Sequence, residues 1–175
     1  MPCDDAHDAN PAGGVAFATG RDVMNKSYSY LVAAHWTQHK RGIVEAESIP
    51  RTINFAAPPE FGGEPGLWTP EHLLLAAVST CFVSTLRAVA EASKLEIDGL
   101  EVPVDGMIEK VEGGFKFTRI VIRPSVTIAR EEDRERTGRL LEKAERICLV
   151  SRSLNCAMVL EPKIVVAHLV ESGAR

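Results

Sequence analysis

The sequence predicts an α+β domain, and the arrangement of its apolar residues supports that fold class. Side chains alternate in polarity with a period of two in the segments 28–36 and 100–129, which is typical of strands. An apolar helical segment at 69–93 separates them, and a second, amphipathic helical segment follows at 130–148. Strands and helices that occur in blocks, rather than in strict alternation, predict an α+β fold.

Composition excludes several classes of protein. The 175 residues suit one domain, and the net charge of −4 comes without a basic block, so we expect no nucleic-acid partner and no membrane partner. The uncharged stretch from Leu73 to Leu86 covers 14 residues, which is too short for a bilayer. The chain begins with acidic residues rather than a secretory signal, and its four cysteines are widely spaced. These features favour a reducing compartment, the cytoplasm.

The segments before the central helix are predicted as an arm followed by strands. Residues 1–25 are small and polar, and we expect a flexible N-terminal arm before a single domain at 26–175. Alternation from Tyr28 to Trp36 indicates the first strand. The remaining predictions are a turn at 38–42, strands at 43–49 and 52–56, and a loop at 58–66.

The central helix has a clear beginning. Thr69 is a suitable N-cap, Pro70 suits the first helical position, and Glu71 places an anion in the first turn. We expect the helix to reach about Ser93. Its first half is apolar all round, which predicts that protein encloses it. A partner subunit is a natural source of the cover that a small domain cannot supply alone.

The second half of the chain predicts a hairpin, a helix and a strand. Gly113-Gly114 suits a tight hairpin turn, and the alternation slips in phase near Thr118. Residues 130–148 form the predicted second helix, with Leu140, Leu141, Ala144 and Ile147 as its apolar stripe. One final strand is predicted at 158–170.

Two cysteines raise the question of chemistry. A buried cysteine is usually an inert small apolar residue, and it becomes a nucleophile when its thiolate is stabilised. Cys148 lies at the C-terminal end of the second helix, where the partial negative charge disfavours a thiolate. Cys81 lies in the middle of its helix, so we expect a cation to activate it. If both face one pocket, Cys81 is the attacking thiol and Cys148 the resolving thiol.

The other candidate residues point to packing. We interpret Cys156 as structural, Cys3 as incidental, and Trp68 and Phe82 as pocket wall or core. A metal site built from Cys148 and Cys156 with His35 or His72 is disfavoured, because no ligand pair has the spacing of a metal site. The sequence therefore predicts neither a metal nor a cofactor.

Four short segments resemble one known family. They are Pro59-Glu60-Phe61-Gly62-Gly63, Thr69-Pro70-Glu71, Cys81-Phe82 and the segment Ala144-Glu145-Arg146-Ile147-Cys148-Leu149-Val150-Ser151. In order and spacing they resemble the OsmC/Ohr family of thiol-dependent peroxidases, over about residues 27–166. The resemblance implies antiparallel sheets packed around a long central helix, in an intertwined homodimer.

The resemblance also implies the site. In that family the reactive cysteine follows the glutamate of a Pro-Glu pair by ten residues, a second cysteine follows the next helix, and an arginine comes from the N-terminal strands. These positions correspond to Glu71, Cys81 and Cys148 here. The arginine corresponds to Arg41, with Arg51 as the weaker alternative.

The implied reaction is the reduction of an organic hydroperoxide to an alcohol. The Cys81 thiolate attacks the O–O bond and becomes a sulfenic acid, Cys148 condenses with it to a disulfide, and an external dithiol reduces that bond. Arg41 would stabilise the thiolate, and Glu71 would hold Arg41. Ten helical residues span about 15 Å, so Glu71 would act on Cys81 of the partner subunit.

One departure and two alternative functions remain open. Leu149 follows the second cysteine where the family commonly has proline, and the Pro-Pro-Glu-Phe-Gly-Gly segment favours a general OsmC-like branch. The alternative is a binding protein for a small apolar or acyl ligand, with redox-sensitive but non-catalytic thiols. A structural, stress-associated protein is the third interpretation.

Overall fold

The computed structural model describes residues 27–167 and has the predicted α+β architecture. Segment 27–31 has no helix or strand, and the predicted arm at 1–25 lies outside the described residues. The strands are β1 (Val32–Gln38), β2 (Arg41–Ala46), β3 (Ile49–Ala56), β4 (Gly99–Glu101), β5 (Val104–Val111), β6 (Gly114–Ile122), β7 (Ser125–Ile128), β8 (Ala157–Leu160) and β9 (Lys163–Val166). The helices are α1 (Pro70–Ala92), α2 (Arg134–Ile147) and α3 (Leu149–Ser153).

The first sheet is an antiparallel meander in the order β1-β2-β3. The first turn is shorter than predicted, and the second lies at 47–48, inside the predicted strand 43–49, rather than at 50–51. His39 and Ser48 adopt the positive φ angles of these tight turns, 48° and 68°. The strands therefore begin earlier, at Arg41 and Ile49. In the loop that follows, Pro59–Phe61 form one 3-10 turn.

The other two sheets have the orders β5-β6-β8 and β4-β7-β9. In each, the central strand has an antiparallel neighbour on one side and a parallel neighbour on the other. The expectation of antiparallel sheets therefore holds for the first sheet, whereas these two sheets are mixed. The prediction of one final strand at 158–170 is wrong over the described residues. Glu161-Pro162 separates β8 from β9, because proline cannot donate to a strand ladder.

The hairpin of β5 and β6 forms as predicted, with its turn one residue earlier, at Glu112-Gly113, so that Gly114 pairs with Val111. Gly113 and Gly114 have φ angles of 90° and 131°, which the absence of a Cβ permits. The register shifts between Met107 and Ile108, which pair with Arg119 and Phe117. Thr118 is therefore the extra residue of a bulge, at the predicted phase slip.

Helix α1 begins and ends as predicted. The Thr69 hydroxyl accepts a hydrogen bond from the His72 backbone N–H at 3.3 Å, Pro70 is the first helical residue, and Ser93 is the C-cap. The buried residues form one stripe, while the rest of the first half is partly exposed in this chain. The stripe consists of Val78, Phe82, Leu86, Val89 and Ala90.

Length and composition alone would allow α1 to cross a membrane, since its mean hydropathy reaches 1.8 over 18 residues. A core helix passes the same test. Val78, Phe82 and Leu86 are fully buried against the sheets and α2, so we interpret α1 as the core helix of this domain.

Helix α2 starts later than predicted, because Glu131–Asp133 form a 3-10 turn before Arg134. Its predicted stripe is buried except at Ile147, which is 45% exposed. Helix α3, which was not predicted, follows directly. Cys148 has φ −59° and ψ 116° and is both the C-cap of α2 and the N-cap of α3.

Candidate active site

Helix α3 brings backbone donors to the sulfur of Cys81. The N–H of Val150 donates a hydrogen bond to Cys81 Sγ at 3.5 Å. The first N–H groups of a helix have no partner within the helix, and Cys148 supplies no side-chain cap. The Cys81 sulfur therefore accepts a hydrogen bond at the start of α3, as the side chain of an N-cap residue would do in other helices.

These donors favour the thiolate of Cys81. Burial opposes ionisation, but hydrogen bonds from the Val150 N–H, the Cys148 thiol, the Thr85 hydroxyl and the Leu149 N–H outweigh it, and the pKa of Cys81 falls below its ordinary value. Hydrogen bonds to the charged form lower the pKa of an acid. The site thus stabilises a thiolate with groups of this chain that carry no formal charge.

The second cysteine behaves in the opposite way. Cys148 is fully buried, and burial, together with the proximity of Cys81, raises the pKa of its thiol despite contacts from Ser151. The two sulfurs interact directly, yet both thiols are free. An ionisable sulfur beside a protonated thiol is the arrangement that thiol–disulfide chemistry requires.

Sequence reasoning missed the donors to Cys81. The expectation that only a cation could activate a mid-helix cysteine overlooked Thr85, one helical turn later, and the start of α3. The spacing of four residues places Thr85 beside Cys81 and could have been found. The Val150 donor comes from 69 positions away, and the Leu149 donor is its neighbour, which no local pattern reveals.

The predicted arginine lies elsewhere in this chain. Arg41 begins β2, and its guanidinium forms an ion pair with Glu64 at 3.0 Å. Arg51 is exposed on β3. Glu71 therefore has no arginine partner within the described part of this chain, and one of its carboxylate oxygens, Oε2, is buried without a hydrogen bond.

Glu71 lines a cavity of about 500 Å³ at the start of α1. The cavity lies between the 3-10 turn, the first turn of α1 and the β5–β6 hairpin. It is lined by Pro58, Pro59, Glu60, Phe61, Thr69, Glu71, His72, Gly106, Ile108 and Phe115. Cys81 lies ten residues further along α1, about 15 Å away along the axis, so the cavity and the thiols form separate parts of one subunit.

The remaining candidates take packing positions. Phe82 is fully buried, and Trp68 is half exposed, with its ring edge to face with that of His72. The Cys156 thiol lies 3.9 Å from the Met158 sulfur at the rim of the core. Between residues 27 and 167, no group of three or more His, Cys, Asp or Glu residues is placed to hold a metal ion.

Comparison with known proteins identifies the family. The model of the OsmC-like protein family matches residues 63–163, which include α1, both thiols and β8. The uncharacterised protein YmaD of Bacillus subtilis is 31% identical over 143 residues, 78% of this chain and 95% of that protein. The organic hydroperoxide resistance protein of Xanthomonas axonopodis pv. citri is 33% identical over 127 residues, 71% of this chain and 86% of that protein.

A solved structure gives the same answer for the fold. The organic hydroperoxide resistance protein OsmC of Legionella pneumophila superposes with a TM-score of 0.66 at 25% identity, covering 81% of this chain and all of that chain. The predicted OsmC-like arrangement of sheets around a long helix is therefore confirmed. From its fold and its match to the family model, the chain belongs to the OsmC-like protein family.

Proposed function

We propose that this protein is a thiol-dependent peroxidase that reduces organic hydroperoxides to alcohols. The observation that carries the proposal is the hydrogen bond from Val150 N–H to Cys81 Sγ, with the Cys148 thiol beside it. The names of the Xanthomonas and Legionella relatives refer to organic hydroperoxide resistance, which agrees with this chemistry. We expect it to act in the cytoplasm, where thiols stay reduced.

The proposed reaction has three steps. The Cys81 thiolate attacks the terminal oxygen of R–O–OH, the O–O bond breaks, and the products are Cys81 sulfenic acid and, after protonation, R–OH. Cys148 then attacks the sulfenic sulfur, forming the disulfide and releasing water. An external dithiol reduces the disulfide and restores both thiols. No metal or cofactor takes part.

The proposed active form is a homodimer. Glu71 Oε2 is buried without a donor, and a buried carboxylate oxygen needs one. Antiparallel packing of α1 against α1 of a second copy would bring Glu71 and an arginine towards the other subunit's Cys81. The first sheet offers further apolar surface for a dimer: Val32, Trp36, Ile49 and Ile53 are 40–76% exposed.

Peroxide-dependent turnover tests the reaction. The full chain should consume cumene hydroperoxide faster than hydrogen peroxide in the presence of a dithiol such as dihydrolipoamide, and mass spectrometry should find a Cys81–Cys148 bridge. Cys81→Ser should abolish turnover, whereas Cys148→Ser should leave one stoichiometric round. The control Cys156→Ser should turn over like the wild type. Equal, slow oxidation of all thiols would instead favour a binding protein.

Mixed dimers test the shared site. If Glu71 acts on the partner's Cys81, an equal mixture of Glu71→Gln and Cys81→Ser subunits contains heterodimers with one intact site. After statistical exchange half of the dimers are heterodimers, and each of these has one intact site of two. The mixture therefore recovers about one quarter of wild-type activity. If Glu71 serves its own subunit, every site in the heterodimer carries a defect and activity stays at the level of the separate variants.

A further inference from the structure

Ser151 carries a buried hydroxyl that the proposed reaction leaves without a role. It lies in the first turn of α3, three residues after Cys148, and is only 3% exposed. Its oxygen is shielded from solvent and makes no hydrogen bond of normal geometry with any group of residues 27–167. Burying a hydroxyl without a partner costs stability. A state of the site in which this hydroxyl gains a partner would recover that cost.

The sulfur of Cys148 is the group that can become this partner. Burial and the proximity of Cys81 raise the pKa of Cys148, whereas contacts from the Ser151 hydroxyl and the Ser151 backbone N–H act in the opposite direction. A thiol sulfur is a weak acceptor, while hydrogen bonds to a charged acceptor are about twice as strong as those between neutral groups. Ser151 therefore holds the Cys148 sulfur more firmly once that sulfur has lost its proton.

The start of α3 divides its backbone donors between the two cysteines. The N–H groups of Leu149 and Val150 serve the sulfur of Cys81. The N–H of the third helical residue normally faces the side chain of the N-cap residue, and here these two residues are Ser151 and Cys148. The neutral Cys148 thiol forms no side-chain cap. A thiolate is the stronger acceptor, so it would accept from Ser151 as an N-cap side chain does.

The second chemical step needs a thiolate at Cys148. The sulfur attacks the Cys81 sulfenic sulfur, the S–S bond forms as the S–O bond breaks, and the leaving hydroxide takes the proton that Cys148 has lost, which gives water. Cys148 is fully buried, so protein groups rather than solvent must stabilise its charge. Cys81 is no longer a thiolate at this stage, and one cause that keeps Cys148 protonated is then removed.

We propose that Ser151 is a catalytic residue for formation of the Cys81–Cys148 disulfide, and that its hydroxyl donates a hydrogen bond to the Cys148 thiolate during the attack. The inference rests on the proposed function and assigns a further group to its second step. The first step does not need Ser151, because the sulfur of Cys81 has other donors. Loss of the hydroxyl should therefore slow the disulfide without slowing the attack on the peroxide.

Separate rates for the two steps give the first test. After one equivalent of cumene hydroperoxide, samples of the full chain are treated with dimedone, and mass spectrometry follows the Cys81 sulfenic acid and the disulfide. In Ser151→Ala the sulfenic acid should form at the wild-type rate, and the disulfide about 10-fold more slowly, as for loss of a hydrogen bond to a charged group. Ser153→Ala is the matched control, since this exposed hydroxyl of the same helix donates to the Leu149 carbonyl at 2.9 Å. Both of its rates should equal those of the wild type.

Thermal unfolding separates this role from a structural one. Ser151→Ala removes a buried hydroxyl that has no well-formed hydrogen bond in the reduced protein, so its Tm should equal or exceed that of the wild type. Slower disulfide formation in a variant that is no less stable would support the proposal. A variant that is less stable and slows both steps to the same extent would overturn it.

A thiol reagent tests the same role without peroxide and separates the two proposals. Methyl methanethiosulfonate converts the Cys81 thiolate to a methyl disulfide and releases methanesulfinate, and Cys148 then displaces methanethiol to form the same bridge. This displacement should also be about 10-fold slower in Ser151→Ala. If it is, and no peroxide oxidises Cys81, the peroxidase is wrong and the role of Ser151 in disulfide formation stands. If peroxide is turned over and both bridges form at wild-type rates in Ser151→Ala, the role of Ser151 is wrong and the peroxidase stands.

Discussion

The backbone N–H of Val150 donates a hydrogen bond to the sulfur of Cys81 at 3.5 Å, across 69 positions of sequence. This contact joins the middle of α1 to the first turn of α3. It places a helix start, with its partial positive charge, against the residue that is proposed to attack the peroxide. The thiolate is therefore favoured by groups of the same subunit.

The pH dependence of Cys81 reactivity should reflect these donors. Burial opposes ionisation, yet the hydrogen bonds from α3, Cys148 and Thr85 lower the pKa of Cys81. Alkylation of Cys81 by iodoacetamide, followed by mass spectrometry against pH, should thus show a midpoint below that of an unfolded control peptide. The ionised Cys81 also stabilises the folded protein. This contribution is present above the pKa that Cys81 has in the unfolded chain, and it is lost as the pH falls through the pKa that Cys81 has in the folded protein.

The same measurement separates the donors. Cys148→Ala and Thr85→Val each remove one hydrogen bond to the thiolate, so each should move the Cys81 midpoint to higher pH. Cys156→Ala should leave the midpoint unchanged, since Cys156 is not among these donors. A midpoint that stays fixed in both donor variants would contradict the assigned origin of the shift.

Leu149→Pro should make the thiolate form of Cys81 less stable without disrupting the fold. Position 149 is the first residue of α3, where proline is tolerated, and the ψ of 116° at Cys148 suits a residue before proline. The variant loses the Leu149 N–H that donates to Cys81. We expect alkylation of Cys81 near neutral pH to slow by about 2- to 5-fold.

Leu149→Ala is the matched control, because it keeps the N–H and removes a side chain that is 73% exposed. Its alkylation rate should equal that of the wild type. Circular dichroism and thermal unfolding of both variants establish that the comparison concerns folded protein. Equal alkylation rates in the proline and alanine variants would show that the Leu149 N–H is unimportant.

Arg41 and Arg51 should differ in their effect on turnover. Arg41→Gln is expected to lower kcat/KM for an organic hydroperoxide by roughly 100-fold, as for loss of a charged group at a reacting centre. Arg51→Gln should change it by less than about 2-fold, since Arg51 is exposed on β3. The Arg41–Glu64 pair is partly exposed, so neither variant should change the free energy of unfolding by more than about 1 kcal/mol.

If Arg51→Gln lowers kcat/KM more than Arg41→Gln does, the role of stabilising the Cys81 thiolate would belong to Arg51 instead. Glu64→Gln distinguishes further, because it frees Arg41 from the carboxylate that holds it in this chain. Turnover in Glu64→Gln should equal or exceed that of the wild type if Arg41 must reach the thiolate. A loss as large as that of Arg41→Gln would instead mean that the observed ion pair is part of the active arrangement.

Gly106→Ala and Gly138→Ala should change stability in opposite directions. The first substitution places a Cβ 2.5 Å from the Phe117 ring, and such overpacking costs about 1–3 kcal/mol. Gly138 lies within α2 with open space around its Cα, so alanine there should add about 0.5–1 kcal/mol. Urea unfolding of both variants measures the two effects under the same conditions.

The sequence was sufficient where local chemistry decides the structure. Thr69 and Pro70 define the beginning of α1, and Gly113-Gly114 the hairpin, because capping and turn geometry depend on adjacent residues. It was insufficient for α3, whose five residues carry no apolar period of their own. The final strand reads as one segment because both halves are apolar, whereas Pro162 interrupts the ladder and separates β8 from β9.

The candidate site also contains features that the sequence predicts and features that it does not. Cys81 and Cys148 could be singled out by residue type, by spacing and by family resemblance, and the structure brings their sulfurs together. The ion pair of Arg41 with Glu64 could not, since it depends on how the loop after β3 folds back over β2. Backbone donors such as the Val150 N–H cannot be predicted from residue types, because every residue except proline carries the same N–H group.

The split between β8 and β9 has a consequence for how the chain assembles. Strand β8 completes the sheet centred on β6, and β9 completes the one centred on β7. The connection at 161–162 runs beside the connection at 123–124, with Glu161 N–H donating to Ile122 and Lys163 N–H donating to Pro124. A nascent chain that stops before Lys163 would complete the β6 sheet but leave one edge of β7 unpaired, so the β7 sheet is complete only when the last described strand has formed.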